Sequence, residues 1–106
     1  MDRKKTILLI TLFFLLTSTV VHAQQQSIAY AKWGRLAMQE TQKKYPQAEI
    51  IDYLYVGLKT LTPTTGQQTF KLWLRQGNKE FGVYVRIKFD LRSEEVHSIS
   101  FEETTS

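Results

Sequence analysis

Between Ser27 and Tyr45, Ala29, Tyr30, Trp33, Gly34, Leu36, Ala37, Met38 and Thr41 share one broad face when successive residues turn by about 100°. Lys32, Arg35, Gln39, Gln42 and Lys43 fall opposite, so the pattern predicts one amphipathic helix. Ser27 suits its N-cap, and Pro46 ends it at or just before Tyr45, because the residue before proline is pushed out of the helical region. Gly34 on the apolar side lets a neighbouring backbone come close.

From Glu49 the period changes to two. Uninterrupted alternation sets Ile50, Leu54, Val56 and Leu58 on one face of a first strand, and Ile51, Tyr53, Tyr55 and Gly57 on the other. The stretch Thr60 to Gln68, with Pro63 and Gly66 among threonines, reads as a loop. A second strand is expected from about Thr69 to Gln76, then a two-residue Gly77-Asn78 turn and a third strand from Lys79 to Asp90. With Gln76 opposite Lys79, the inward pairs become Leu74 with Phe81, Leu72 with Val83 and Phe70 with Val85. The outward pairs become Arg75 with Glu80, Trp73 with Gly82 and Lys71 with Tyr84: an ion pair, a ring over a glycine, and a cation beside a ring. A slip of one residue would bury Lys71 and Arg75, so both faces select this register. A polar turn from Asp90 to Glu95 leads to a fourth strand, Val96 to about Glu102, with Ile99 against Ile87, Phe101 against Val85, and a frayed tail over 103–106. The class is α+β: one N-terminal helix packed on one face of a four-stranded antiparallel meander.

The chain starts differently. Arg3, Lys4 and Lys5 precede Ile7 to Leu16, apolar except at Thr11, and Val21-His22-Ala23 puts small or modest side chains where a signal peptidase reads them. Residues 1–23 are therefore expected to be a cleaved secretory signal, and 24–106 a single domain with its core over about 27–102. The apolar run falls short of the roughly 20 residues that span a bilayer, which argues against a membrane anchor. With no cysteine anywhere, lipoprotein anchoring, disulfides, thiolate metal sites and cysteine nucleophiles are excluded. The expected location is extracellular or cell-wall associated. Loss of Asp2, Arg3, Lys4 and Lys5 brings the chain's 14 basic and 10 acidic residues to 11 and 9, a net charge near +2 in place of +4. That balance does not call for nucleic acid.

The runs Tyr30 to Thr41 (YAKWGRLAMQET), Tyr45 to Tyr53 (YPQAEIIDY), Phe70 to Arg75 (FKLWLR), Glu80 to Val83 (EFGV) and Phe89-Asp90 resemble the YqzG/YhdC family of small secreted proteins from bacilli. The likeness covers nearly the whole mature chain and implies secretion from a Gram-positive cell. That family is of unknown function, so it implies no catalytic residues. The layout of helix, Tyr-Pro and meander is also similar to PepSY and cystatin-like domains of peptidase propeptides and inhibitors. The sequence departs from the first in lacking a glycine between Asp90 and Glu94, and from the second in lacking the inhibitory glycine-bearing loop.

No reactive constellation stands out. His97 is the mature chain's sole imidazole, and Ser98 beside it faces the other way on a strand, so the two cannot form a nucleophile–base pair. Glu94-Glu95 and Glu102-Glu103 read as solvated charge rather than as an acid–base pair, and the phosphate-loop, dinucleotide, HExxH and EF-hand motifs are missing. The expectation is a non-enzymatic module with no cofactor and no metal. Its candidate ligand-binding surface is the sheet face away from the helix, where alternation places Tyr53, Tyr55, Lys71, Trp73, Arg75, Tyr84, Arg86 and Lys88. Rings interleaved with cations suit an anionic cell-wall polymer or a peptide, with no nucleic acid and no membrane after signal cleavage. The plain structural reading is that the same residues are cross-strand pairs covering a thin sheet. The alternative function is a regulatory or inhibitory partner of a secreted peptidase, engaged by adding a strand at a sheet edge.

Overall fold

Helix α1 occupies residues 30–44 in the computed structural model, which describes residues 30–106; residues 33–106 form one compact unit. The expected signal segment, the Gln24 start and the Ser27 cap lie outside the described residues. Within the unit, Trp33, Gly34, Ala37 and Thr41 form the buried stripe of α1, while Arg35, Gln39, Gln42 and Lys43 are exposed. Thr41, fully buried, keeps its hydroxyl satisfied by donating to the Ala37 carbonyl four residues back at 2.7 Å. The helix stops at the residue pair Tyr45-Pro46. The Tyr45 N–H closes the last turn on Thr41 O (2.8 Å), and Gln42 Nε2 reaches past it to Ala48 O (3.0 Å).

Four strands follow in a meander: β1 Glu49–Thr60, β2 Thr65–Gln76, β3 Lys79–Asp90 and β4 Val96–Thr104, in spatial order β1-β2-β3-β4 and all antiparallel. The α+β reading holds. The helix lies along the inner face with Trp33 against Phe89 (ring centroids 4.5 Å apart) and Tyr45 against Phe81 (5.7 Å) and Phe101 (6.5 Å). Beneath it Phe70, Leu72, Leu74, Val83, Val85 and Ile87 are wholly buried. Close helix–sheet contact runs through Gly34, where a Cβ would stand 3.5 Å from the Phe70 ring.

The β2–β3 hairpin has the expected register, from Gln76 opposite Lys79 to Thr65 opposite Asp90. Gly77 takes a positive φ of 64° at the first turn position, as a type II′ turn requires. Ile87 opposes Ile99 and Val85 opposes Phe101, also as expected.

Three local expectations are corrected. The β1–β2 loop is only 61–64: Thr62 Oγ1 accepts the Thr64 and Thr65 N–H groups, and β2 begins at once. Thr65, Gly66, Gln67 and Gln68 belong to the strand, because a buried Gln68 finds its partner across the sheet, accepting the Tyr55 hydroxyl at 2.6 Å. At the other end β4 runs to Thr104, pairing Glu103 with Val83 and Thr104 with Gly82, where a frayed tail was expected.

The third correction concerns β1. Its ladder with β2 steps from Ile50–Leu74 to Asp52–Trp73, and from Tyr55–Phe70 to Gly57–Thr69, leaving Ile51 and Val56 as extra residues in two bulges. Each bulge inverts the alternation that follows it. Ile50, Tyr53, Tyr55 and Leu58 thus face inward, and Glu49, Asp52, Leu54, Gly57 and Lys59 face outward.

Candidate functional site: the outer sheet face

Opposed residues in antiparallel strands share a face, so the register gives the outer surface row by row. One row is Asp52, Trp73, Gly82 and Thr104; the next is Leu54, Lys71, Tyr84 and Glu102; then come Gly57, Thr69, Arg86 and Ser100, and Lys59, Gln67, Lys88 and Ser98. Arg75 and Glu80 close the hairpin end. Six of the expected ligand-binding residues, Lys71, Trp73, Arg75, Tyr84, Arg86 and Lys88, therefore stand together. Tyr53 and Tyr55 do not: the first bulge turns them inward, where their rings pack 6.5 Å and 5.1 Å from Phe70. Burial raises the Tyr55 hydroxyl pKa above that of an ordinary phenol.

Trp73 is half-buried, its indole flat over Gly82: a Cβ there would come within 3.1 Å of Trp73 Cζ3 and 2.8 Å of Thr104 Cγ2. Its Nε1 donates to Glu80 Oε1 at 2.7 Å, and Arg75 donates to the other Glu80 oxygen from Nε (3.2 Å) and Nη2 (3.1 Å). These donors, the indole first, hold the Glu80 carboxyl below its usual pKa. Tyr84 lies between two cations, Lys71 Nζ 5.5 Å and Arg86 Cζ 5.3 Å from its ring centroid. Arg86 also pairs with Glu102 Oε1 at 3.0 Å, and Lys71 donates to the Ser106 main-chain oxygen at 2.5 Å. Carboxylates thus answer both guanidinium groups, while Lys71 and Lys88 have no carboxylate side chain opposite them. The face is mixed in sign rather than uniformly basic.

Beside Trp73 lies a shallow cleft of about 230 Å³ lined by Asp52, Tyr53, Leu54, Lys71 and Trp73. That is below the roughly 300–1,000 Å³ of small-molecule pockets and suits one ring or one side chain of a longer ligand. Alternation did not reveal Asp52 and Leu54 as lining residues, since it set them by unbroken parity. Chemically the surface can stack, donate hydrogen bonds and offer cations.

The remaining candidates stay separate. His97 is exposed at an irregular step of β4, where Lys88 faces Ser98 but Phe89 faces Val96. Among the described residues no three His, Asp or Glu side chains converge as a metal site would need, and no helix is long and apolar enough to cross a membrane.

Comparison with known proteins gives two likenesses in sequence. A family profile described as "Protein of unknown function (DUF3889)" matches residues 9–103. A relative, "Uncharacterized protein YqzG" of Bacillus subtilis (strain 168), is 34% identical over 90 residues, covering 81% of this chain and 82% of its own. No solved structure matches. The chain belongs to the DUF3889 family, in agreement with the blocks shared with YqzG-like proteins.

Proposed function

We propose that this protein is a small secreted, non-enzymatic module that holds an anionic cell-wall polymer on the outer face of its sheet. The supporting observation is the cluster of Trp73, Lys71, Tyr84 and Arg86 on three adjacent rows, rings and cations side by side on the face opposite the helix, with a cleft at the indole edge. A sugar ring stacks on an aromatic face, and a polymer phosphate or carboxylate meets the ammonium groups of Lys71 and Lys88. The charged start and apolar run of residues 3–16 direct export, with the mature chain starting at Gln24.

The test is co-sedimentation with purified cell-wall sacculi at low and high salt, using wild type, Trp73→Ala and the double variant Lys71→Gln/Lys88→Gln. Circular dichroism confirms that each is folded. The expected result is pelleting at low salt that high salt reverses, with both variants staying in the supernatant. Absence of pelleting, or pelleting unmoved by salt and by all three substitutions, overturns the reading.

A further inference from the structure

We propose that β1 is the interface between two copies of this chain, paired antiparallel about a two-fold axis through Leu54, so that two four-stranded sheets continue as one. β1 is an edge strand of 12 residues, and along it Leu54, Val56 and Leu58 are 62%, 53% and 53% exposed. A long apolar edge is a template for another strand, and proteins that avoid pairing shorten or charge it.

The two bulges identify the occupant. Pair β1 with its own copy so that Leu54 faces Leu54: Tyr53 then opposes Tyr55, and Ile50 opposes Leu58, all four inward-facing residues. Glu49 opposes Lys59, both outward and of opposite charge, and the two-fold axis repeats each pair. Between Ile50 and Tyr53 lie Ile51 and Asp52; between Tyr55 and Leu58 lie Val56 and Gly57. The irregular intervals have equal length and are symmetric about Leu54, so they fall opposite each other. Shift the pairing by one residue and Leu54, facing outward, meets Tyr55, facing inward. A regular extended segment from another protein is out of step beyond each bulge, as the β1–β2 ladder already shows. Only a strand with the same two irregularities matches both faces along its length. Asp52 Oδ1 accepts the Tyr53 N–H at 2.8 Å, a local contact that pairing exchanges for a partner's carbonyl. The proposal is independent of ligand binding on the outer face.

The experiment measures mass by light scattering during size exclusion, on the chain expressed from its full sequence and recovered as the host processes it, over a dilution series into the low micromolar range. Wild type is expected at twice the single-chain mass. Leu54→Lys, which sets two ammonium groups against each other on the axis, is expected at the single-chain mass with an unchanged circular dichroism spectrum, since Leu54 is exposed. Glu49→Lys and Lys59→Glu are each expected to weaken association by about tenfold, and the charge-swapped double variant to restore it, which loss of fold or of general stickiness would not do. A single-chain mass at every concentration, a dimer indifferent to Leu54→Lys, or a charge swap no better than its single variants overturns the proposal. So does a single chain that captures a strand of a different protein along β1.

Discussion

Glycine and aspartate set the hairpin and the turn that follow β2. At Gly82 the missing Cβ lets the Trp73 indole lie on the sheet and Thr104 pack from the other side, so Gly82→Ala sets a Cβ 2.8 Å from Thr104 Cγ2 and 3.1 Å from Trp73 Cζ3. We expect a loss of about 1–3 kcal/mol in urea unfolding, the range for an overpacked site, with quenched or shifted Trp73 fluorescence. Gly77→Ala tests a different cost: nothing crowds its Cβ, but φ is 64°, and about 1 kcal/mol is expected from the left-handed backbone alone. In the β3–β4 turn, Asp90 Oδ1 accepts N–H bonds from Ser93 (2.7 Å) and Arg92 (2.9 Å), which lower its pKa below the ordinary 3.8. The ionised form is favoured by folding, so its contribution is complete above the unfolded pKa and disappears as pH falls through the carboxylate range toward the lower folded value. Asp90→Asn is expected to flatten the drop in urea midpoint between neutral and acid pH that wild type shows. The sequence lacks a glycine in this turn, and the backbone still needs a left-handed residue there: Glu94 supplies it at φ 64°.

At the scale of elements, β1 separates what alternation can reveal from what it cannot. The β2–β3 hairpin was legible because both faces carried complementary pairs, Leu72 with Val83 inside and Arg75 with Glu80 outside, and the turn residues agreed with them. The helix was legible because Trp33, Ala37 and Thr41 repeat every four residues, with Pro46 as a stop. β1 is apolar on both faces, so neither parity is penalised in sequence, and bulges at Ile51 and Val56 leave no compositional trace. The start of β2 was hidden for the opposite reason, since Thr65 to Gln68 carry no apolar alternation and their fit depends on Leu91, Phe89 and Tyr55, distant in the chain. Substitution in β1 distinguishes the two parities directly. Tyr55→Ala removes the ring 5.1 Å from Phe70 and the hydroxyl bonded to buried Gln68, and about 2–4 kcal/mol of unfolding free energy should go with it. Leu54→Ala, one residue away but outward and 62% exposed in the single chain, should change the dissociated chain's unfolding free energy by less than about 1 kcal/mol. Unbroken alternation predicts the reverse order.

The whole molecule carries its charge in a way that composition hides. A pI near 9.4 describes the chain with the basic residues 3–5, whereas the outer face answers Arg75 with Glu80 and Arg86 with Glu102, leaving Lys71 and Lys88 with no carboxylate side chain opposite them. Counterion release scales with the number of cations engaged, and the slope of log affinity against log salt is about −0.7 to −0.9 per contact for nucleic-acid polyanions. Two lysines acting on a wall polymer of comparable charge spacing should therefore give a slope near −1.5, and the four basic groups Lys71, Arg75, Arg86 and Lys88 together a slope of about −3. Glu102→Gln distinguishes these regimes without touching Trp73 or either lysine. It removes the carboxylate 3.0 Å from Arg86 while Arg86 keeps its place over Tyr84, so one further cation becomes available to the ligand. Binding to sacculi should tighten and the slope should steepen by about one unit, read by sedimentation across a salt series. If instead Glu102→Gln leaves both unchanged while Lys71→Gln/Lys88→Gln abolishes binding, the polymer follows the lysines and Trp73 along one diagonal of the sheet. Arg86 then serves only to hold Tyr84 in place.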